Sequence, residues 1–221
     1  MSKQEARRLR TMGYFISACR ELIENEGIKG VSARKVAEKA GYSYATIYSY
    51  FKDMDTLIAY VILEYLNESA QCVKKAMEGI DDPLTALLAS VSAYASYYCK
   101  YPDRFSMVFT QHDFNLSPEN LPEEMAAALF FPEIARIHAL YVSKILKPRV
   151  ASVEKIELLS SVASSFLHGA ISFFIYREPL KDTDKLITMI VSGYRHILEV
   201  SESSEAIPPP VLKDENKVWL L

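Results

Sequence analysis

The sequence predicts an all-α protein made of a small three-helix head and a larger helical body. Apolar residues recur at intervals of three and four along most of the chain, which is the spacing of amphipathic helices. Only seven glycines occur among 221 residues, few for a protein of strands and tight turns. Prolines 83 and 102 stand where two helices would begin, a position that tolerates their missing N–H. Together these observations predict long helices joined by short connections.

Charge separates the head from the body. Residues 1–52 hold ten Lys and Arg against five Glu, a net charge of +5. The other 169 residues therefore carry −8, since the net charge of the chain is −3. A basic head on an acidic body indicates a polyanion partner for the head alone. The alternative is that the net charges of the two parts of the chain differ by chance. We therefore predict a helix-turn-helix DNA-binding domain over 1–53, a ligand-binding and dimerisation domain over 54–201, and a C-terminal tail over 202–221.

Composition favours a cytoplasmic protein without a membrane partner. The cysteines Cys19, Cys72 and Cys99 are odd in number and far apart, so they indicate neither a disulfide framework nor a thiolate metal site. A reducing compartment is the simplest setting for them. The charged N-terminus lacks the apolar segment of a secretion signal. The most apolar stretch, 162–176, has 15 residues, whereas a membrane span needs about 18.

The helices of the head follow from short-range patterns. Apolar residues between Leu9 and Ile23 have helical spacing and predict the first helix. A second begins at Ser32, whose hydroxyl can accept from a free N–H of the first turn, and it ends at Gly41. A third is predicted over 43–50.

The third segment can also be interpreted as a strand, because the tyrosines in AGYSYATIYSYF (40–51) partly alternate. Its flanks on both sides are helix-like, so a helix with Ser43 as N-cap is favoured. Such a helix directs Ile47 and Phe51, four residues apart, to the core. Its other side chains then project outward: Tyr44, Ala45, Tyr48 and Ser49.

Two short helices joined by a turn containing glycine form a helix-turn-helix unit. The second helix of such a unit lies in the major groove of DNA. A tyrosine hydroxyl can donate to a phosphate while its ring packs on a sugar or a thymine methyl. Arg34 and Lys35 stand at the start of the preceding helix, where free N–H groups also favour an anion. The tyrosines after Gly41 therefore predict a DNA-reading surface.

The body is predicted to be helical with few interruptions. Amphipathic segments and helix-start signals predict seven helices, over 54–78, 83–100, 102–111, 122–130, 132–146, 153–177 and 183–201. The segment 201–210 has the composition of a linker, and the apolar end KVWLL is a candidate for docking on the body or on a partner subunit.

Residues 15–66 resemble the DNA-binding head of the TetR family of repressors. The resemblance rests on the Ala-x3-Leu-Ile pattern of the first helix and on Gly27, Ser32, Val36-Ala37, Ala40-Gly41, Thr46-Ile47-Tyr48, Tyr50-Phe51 and Leu57. It implies that the third helix contacts DNA, that Arg34 reads a guanine and that Lys52 binds a phosphate. Met54 and Tyr50 depart from the family pattern, which often has a second lysine and a histidine there. The full set of candidate DNA-binding residues is Ser32, Arg34, Lys35, Tyr42, Ser43, Tyr44, Ala45, Thr46, Tyr48, Ser49, Tyr50 and Lys52.

The resemblance also implies that the last two helices form a four-helix bundle with a second copy. Both helices carry broad apolar stripes, and the small residues Gly169, Ala170 and Ser172 allow close approach of helices. A buried pair of helices within one chain is the alternative. The candidate interface comprises Leu159, Val162, Phe166, Gly169, Phe173, Leu186, Ile190, Tyr194 and Ile197.

Aromatic residues cluster in the middle of the body. They could line an apolar pocket with a few polar groups, as is usual in small-molecule sites, or they could simply fill the core. We expect an apolar or aromatic ligand. The candidate pocket comprises Tyr94, Tyr97, Tyr98, Phe105, Phe109, His112, Phe131, His138, Tyr141 and Phe166.

No motif indicates catalysis. The four histidines are scattered without HExxH spacing, so neither a metal site nor a cofactor is expected. Neither a nucleophile motif nor a glycine-rich phosphate loop occurs, so we expect no enzyme. We predict a ligand-responsive transcriptional repressor that binds a palindromic operator as a homodimer. The alternative is a helical small-molecule-binding or protein-interaction module without specific DNA binding.

Overall fold

The computed structural model describes residues 2–110, 116, 119, 121–150, 152–176 and 182–199. Within these residues the chain is helical and has no strand, which confirms the all-α prediction. The helices are α1 (Lys3–Glu26), α2 (Ala33–Ala40), α3 (Tyr44–Ile47), α4 (Met54–Met77), α5 (Pro83–Lys100), α6 (Pro102–Phe109), α7 (Glu123–Phe130), α8 (Glu133–Leu146), α9 (Val153–Tyr176) and α10 (Thr183–Glu199), with a 3-10 turn at Ile28–Gly30.

Helix α1 begins earlier than its apolar pattern indicates. The hydroxyl of Ser2 accepts from the backbone N–H of Glu5 at 3.1 Å, and the Glu5 carboxylate accepts from the Ser2 N–H at 3.2 Å. This reciprocal capping box satisfies two N–H groups that would otherwise lack partners. The first turn is therefore fixed by polar contacts, and the hydrophobic spacing that starts at Leu9 does not detect it.

The turn between α2 and α3 has the predicted geometry. Ser32 caps α2 by accepting from the Lys35 N–H at 3.4 Å. Gly41 ends the helix in the left-handed region, with φ 77° and ψ 28°. The N–H of Tyr42 then donates to the Ala37 carbonyl at 2.9 Å, which closes the last turn of α2. This closed turn directs the chain into α3.

Helix α3 is shorter than predicted. Its α-helical part ends at Ile47, and residues 48–50 continue as turns, in which the N–H groups of Ser49 and Tyr50 bond three residues back. The tighter turns bring Phe51 into the core, where it is buried. The chain must then leave the helix, because Asp53 caps α4 by accepting from the Thr56 N–H at 2.7 Å.

Helix α4 takes part in two hydrophobic cores. Its first half, from Leu57 to Leu66, joins the buried residues of the head, including Phe15 and Val36. Its second half joins the core of the body through Val73. The predicted division at residue 53 stays a prediction, but the head core includes the start of α4.

Helix α5 forms the centre of the body and packs against α4, α8, α9 and α10. Its bounds agree with the sequence prediction, since Asp82 accepts from the Thr85 N–H at 2.8 Å and Pro83 begins the helix. The other body helices also agree within two residues with the predicted bounds.

Helices α9 and α10 pack closely at a point that the sequence did not indicate. A Cβ at Gly193 would lie 2.5 Å from the ring of Phe166, whereas a Cβ at Gly169 would meet no atom within 4 Å. The close approach within the chain is therefore at Gly193, and Gly169 faces open space.

Helix α9 is long and apolar enough, by length and composition alone, to cross a membrane. In the described part of the chain, α7 and α8 would add a second span if that bent pair were counted as one. The stretch 162–176 alone is too short for a membrane span, whereas the whole helix begins at Val153 and is longer. Only 17% of its most apolar window is buried within the chain, and core helices of other proteins pass the same test.

We expect the Gly41→Ala substitution to lower the free energy of unfolding by about 1–2 kcal/mol, because an alanine is strained at positive φ. Gly13→Ala is the matched control. Gly13 lies inside α1, and no atom lies within 4 Å of the position that its Cβ would take, so alanine there should raise stability by about 0.5–1 kcal/mol. Urea unfolding of both variants measures the difference. Equal effects of the two substitutions would contradict the role given to the turn.

Candidate nucleic-acid interface and body pocket

Helix α3 presents a polar, phenol-bearing surface to solvent. Tyr44 is 55% exposed and Tyr48 is 46% exposed. Their hydroxyls lie 3.2 Å apart and their rings meet edge to face. The hydrogen bond with Tyr44 raises the pKa of Tyr48 above its ordinary value. Both phenols therefore present their hydroxyls on one side of the helix.

The remaining candidates on α3 differ in their exposure to solvent. Ser43, Ala45 and Ser49 are exposed, whereas Thr46 is half-buried. The Ser43 hydroxyl lies 2.8 Å from that of Thr46, so it does not cap the helix backbone as the sequence suggests.

Two of the predicted DNA-binding tyrosines hold α3 against α1. The Tyr42 ring packs on Phe15 at 5.1 Å between centroids, and the Tyr50 ring packs on Phe15 at 5.8 Å. The guanidinium of Arg8 lies over the Tyr50 ring at 5.3 Å and donates to the Ser49 carbonyl at 3.2 Å. Arg8 is absent from the sequence prediction, although it lies in a basic run of α1 beside α3.

The predicted cations differ in their surroundings. Arg34 and Lys52 are exposed, and Arg34 forms no ion pair within the described part of the chain. The ammonium of Lys35 lies 2.6 Å from the Glu26 carboxylate and donates to the Gly30 carbonyl at 3.0 Å. Its charge is thus partly compensated within the head. Ser32 uses its hydroxyl as the cap of α2.

A charged network joins the head to the body. Arg104 of α6 donates to Glu24 of α1 at 2.9 Å and to Glu68 of α4 at 2.5 Å. Arg20 of α1 also pairs with Glu68, and it pairs with Glu24 at 3.1 Å. The Arg104 guanidinium covers the ring of Tyr101 at 4.0 Å. No sequence pattern indicates this network, because its members are dispersed along the chain.

The body contains a cavity of about 200 Å³ between α5, α8 and α9. Three of the predicted pocket residues line it: Tyr94, Phe109 and His138. His168 also lines it and is absent from the sequence prediction. The complete lining comprises Val73, Ser90, Val91, Tyr94, Phe109, Pro132, Ile134, Ala135, His138, Ala139, Ser160, Ser164, Leu167 and His168.

The other predicted pocket residues do not line this cavity. Tyr98 and Phe105 fill the core, and Tyr97 directs its hydroxyl to Arg104 instead. Phe131 is 72% exposed at the end of α7, so it faces solvent. Two further residues pack elsewhere in the body, Tyr141 against the core and Phe166 against Gly193. His112 lies outside the described residues.

Two histidine–tyrosine pairs provide the polar groups beside the cavity. The Nδ1 of His168 lies 2.9 Å from the Ser164 carbonyl, which can only accept, so Nδ1 carries a hydrogen. In the neutral ring, Nε2 then accepts from the Tyr94 hydroxyl at 2.8 Å. The hydroxyl of Tyr194 lies 2.8 Å from Nε2 of His138 and 3.2 Å from its Nδ1.

Burial keeps both histidines neutral at pH 7. It lowers the pKa of His138 to about 4, with a further decrease from the nearby His168. Burial also lowers the pKa of His168. A protonated imidazole in either position would lose much of its hydration, which is the physical cause of both shifts.

Helix α6 connects the cavity to the charged network. The Phe109 ring lies 4.8 Å from the His168 ring and 5.6 Å from that of Tyr98. Arg104, on the same helix, bonds to Glu24 in the head. A displacement of α6 at the cavity would therefore also act on α1.

The outer face of α9 is apolar and exposed. Val162 and Phe173 of the predicted interface lie on it, as does Gly169. It also includes Leu158 and Tyr176, which the sequence prediction did not name, and Met189 is exposed on α10.

The other six predicted interface residues pack within their own chain. Leu186, Ile190 and Tyr194 are buried there, so the apolar stripe of α10 faces inward. Leu159 and Ile197 are half-buried against the same core. Phe166 packs on Gly193. Periodicity identifies an apolar face without showing what covers it, and within one chain these three residues are covered by its own core. The interface itself stays a prediction.

No group of three or more potential ligands that could hold a metal ion is found where the structure describes the chain. The cysteines described as free are Cys19, Cys72 and Cys99. The expectation of no enzymatic activity stays a prediction.

Comparison with known proteins identifies the head. Residues 15–61 match the family model for bacterial regulatory proteins of the tetR family. No curated protein matches the chain significantly. The family match confirms the resemblance found in the head and supports a DNA-binding regulator.

Solved structures share the fold of the chain. A regulator of the TetR/AcrR family from Thermobifida fusca YX-ER1 is 18% identical, with a TM-score of 0.59 over 88% of this chain and 98% of that one. A regulator from Rhodococcus sp. RHA1 is 17% identical, with a TM-score of 0.60 over 88% and 99%. A TetR-family regulator from Bordetella parapertussis 12822 is 16% identical, with a TM-score of 0.58 over 83% and 93%. At these identities the likeness establishes the fold.

The half-buried His138 should make stability depend on pH. Its folded-state pKa of about 4 lies below the ordinary value of 6.5. The unfolded chain therefore takes up a proton that the folded chain does not, as pH falls from about 6.5 towards 4. The free energy of unfolding should decrease in this window by up to about 1.4 kcal/mol per pH unit for this group.

We expect His138→Gln to make this pH dependence shallower, by about 1 kcal/mol per unit at its steepest. His196→Gln, on the exposed side of α10, is the matched control and should leave the slope unchanged. Urea unfolding between about pH 4.5 and 7.5, a range set by the expected window, measures both. A slope that His138→Gln does not alter would show that protonation of His138 does not oppose folding.

Proposed function

We propose that this member of the TetR family of regulators is a dimeric repressor that a small ligand releases from a palindromic operator. DNA recognition is assigned to α3 and the start of α2. Dimerisation is assigned to the exposed faces of α9 and α10, and ligand binding to the body cavity. The proposal places the protein in the cytoplasm and includes no enzymatic turnover.

The exposed phenol pair on α3 is the observation that carries the DNA-binding assignment. Tyr44 and Tyr48 present their hydroxyls 3.2 Å apart on one side, while Ile47 on the other side is buried in the head. Neutral hydroxyls can bond to phosphates and base edges, and the rings can pack on thymine methyl groups. Tyr42 and Tyr50 would act by fixing α3 on α1, since their rings pack on Phe15.

Cations beside α3 complete the proposed interface. Arg34 is exposed and can form two parallel bonds to a guanine, and Lys52 is exposed as a phosphate donor. Arg8 is a further phosphate donor, because it lies against Tyr50 and Ser49. Lys35 contributes less, since it is already paired with Glu26.

The apolar outer face of α9 supports a second copy of the chain as its partner. An exposed apolar surface of this kind is costly in water and is usual at protein interfaces. A two-fold dimer would place two copies of α3 on half-sites about 34–36 Å apart. The pseudopalindromic operator follows from that symmetry.

Helix α6 supports coupling between ligand and DNA. It contacts the cavity through Phe109 and the head through Arg104 and Glu24. A ligand that displaces α6 would change the position of α1, and with it the distance between the two heads. A ligand shifts the equilibrium only by its difference in affinity for the two arrangements.

We expect Arg34→Ala to relax sequence preference at one position of the operator, because a bidentate arginine contributes about 1–3 kcal/mol of discrimination. Lys52→Ala should weaken binding to all sequences alike and reduce the slope of log affinity against log salt by about one. Lys147→Ala, exposed at the end of α8, is the control and should change neither. Selection of bound fragments and fluorescence anisotropy at several salt concentrations measure these effects.

The DNA assignment is contradicted if Arg34→Ala leaves the selected sequences unchanged. A gel shift with sheared genomic DNA at low and high salt tests the broader alternative. No retardation at low salt would favour a helical small-molecule-binding or protein-interaction module.

We expect Val162→Asp to convert the dimer into a monomer and to abolish operator binding. The substitution would place an unpaired carboxylate from each copy in the proposed interface, which is strongly unfavourable. Leu140→Asp is the control, because this exposed leucine lies on α8 and not on the α9 face. Sedimentation velocity measures the mass of each variant. A Val162→Asp protein that remains dimeric would exclude this face as the interface.

A further inference from the structure

The size of the body cavity limits its ligand. Its volume is about 200 Å³. For comparison, an apolar cavity of about 150 Å³ holds benzene. The cavity therefore accommodates one ring with short substituents or a compact pair of rings. Longer molecules would need to extend through its opening.

The cavity wall excludes charge. Among its described lining residues there is no Lys, Arg, Asp or Glu. Both lining histidines are neutral at pH 7 because burial lowers the pKa of each. An ionised ligand would lose its hydration without gaining a partner of opposite charge, which is unfavourable.

Most polar groups of the wall already have partners within the protein. His168 uses both ring nitrogens, one with the Ser164 carbonyl and one with the Tyr94 hydroxyl. The Ser90 hydroxyl donates to the Leu87 carbonyl at 2.6 Å. These groups rigidify the wall and leave little hydrogen-bonding capacity for a ligand.

His138 is the exception. One hydroxyl, that of Tyr194, faces both of its ring nitrogens. Tyr194 is fully buried, so its hydrogen is best used by donation to one nitrogen. In the neutral ring the other nitrogen then carries a hydrogen, and its one recorded partner in the described residues is this same, shared hydroxyl. Because His138 lines the cavity, a ligand oxygen there can accept from this N–H in place of the shared hydroxyl.

We propose that the body cavity binds an uncharged, mainly apolar molecule of one or two rings, whose oxygen accepts a hydrogen bond from His138. The inference rests on the proposed ligand response, because it names the chemistry of that site. The apolar walls provide most of the contact area, and His138 orients the ligand. The serine hydroxyls of Ser160 and Ser164 can rotate to serve a second polar atom.

Four one-ring probes of similar size test the charge requirement: toluene, 4-methylphenol, 4-methylbenzoate and 4-methylbenzylammonium. Isothermal titration calorimetry is carried out at about pH 7.5 on the full-length protein without DNA. We expect toluene and 4-methylphenol to bind and to compete with each other. The two charged probes should bind at least about tenfold more weakly, because their charge must be desolvated. A charged probe that binds as tightly as toluene would overturn the proposal.

Substitution of His138 tests the hydrogen bond. His138→Phe should weaken the binding of 4-methylphenol about three- to tenfold, the usual contribution of one hydrogen bond. The affinity for toluene should stay the same. His138→Gln should retain 4-methylphenol binding, since its amide also donates. If His138→Phe lowers the affinity for both probes equally, or lowers neither affinity, the assignment is overturned.

A second variant keeps this test valid if His138→Phe alone does not fold. The double variant His138→Phe with Tyr194→Phe removes both partners of the buried bond, which costs less than leaving one unpaired. It should discriminate between 4-methylphenol and toluene in the same way as the single variant.

The position of the site is tested at its exposed rim. Ala135 lies on α8, is exposed and lines the cavity, so Ala135→Phe should block it and abolish binding of toluene and 4-methylphenol. Ala127→Phe is the matched control on α7, where the exposed alanine does not line the cavity. Unchanged binding in Ala135→Phe would place the ligand elsewhere and overturn the proposal.

DNA binding is measured separately, by anisotropy of a labelled operator. Binding of the neutral probes without release of DNA supports the ligand chemistry and contradicts the proposed response. Retained DNA binding with no affinity for either neutral probe overturns the ligand chemistry and leaves the DNA-binding function intact.

Discussion

The shared helix α4 places the head relative to the body. Its first half is buried among residues of α1 and α2, and its second half is buried among residues of α5. A rigid helix that belongs to two cores cannot shift in one without disturbing the other, because protein interiors are closely packed. The cavity, the charged network and the proposed DNA-binding surface all lie at positions fixed by this helix.

The network around Arg104 adds orientation to that packing. Glu24 and Glu68 each accept from two arginines. Burial of Glu68 opposes its ionisation, but Arg20 and Arg104 outweigh this effect and lower its pKa below the ordinary value. The attraction between the charges in such a network does little more than offset the cost of removing them from water. The network nevertheless favours one arrangement of the helices. Here they define the angle between α1 and α6, the helix that also lines the cavity.

Much of the fold is encoded locally, and that part could be predicted. Ser32 and Gly41 bracket α2 by capping chemistry, and Asp82 with Pro83 begins α5. The outward direction of Tyr44 and Tyr48 follows from the burial of Ile47 on the opposite side. Helix α3 ended early because the cap of α4 at Asp53 competes with its continuation, a tertiary demand that a pattern of tyrosines does not contain.

The cavity and the interface could not be predicted with the same success. Tyr98 and Phe131 are both aromatic residues of the body, yet one is fully buried and the other is exposed. Helix α9 has apolar residues on both sides, so periodicity does not separate the inner side from the outer one. Whether an apolar side chain faces a core, a cavity or solvent depends on contacts between distant helices.

The contact between Gly193 and Phe166 has a consequence for the evolution of such a protein. The Phe166 ring occupies the space that any side chain at 193 would need, so this one pair sets the separation of α9 and α10. A larger residue at 193 would have to arise together with a smaller one at 166. In the proposed dimer, such paired replacements would change the distance between the two copies of α3 while the sequence of α3 remained the same.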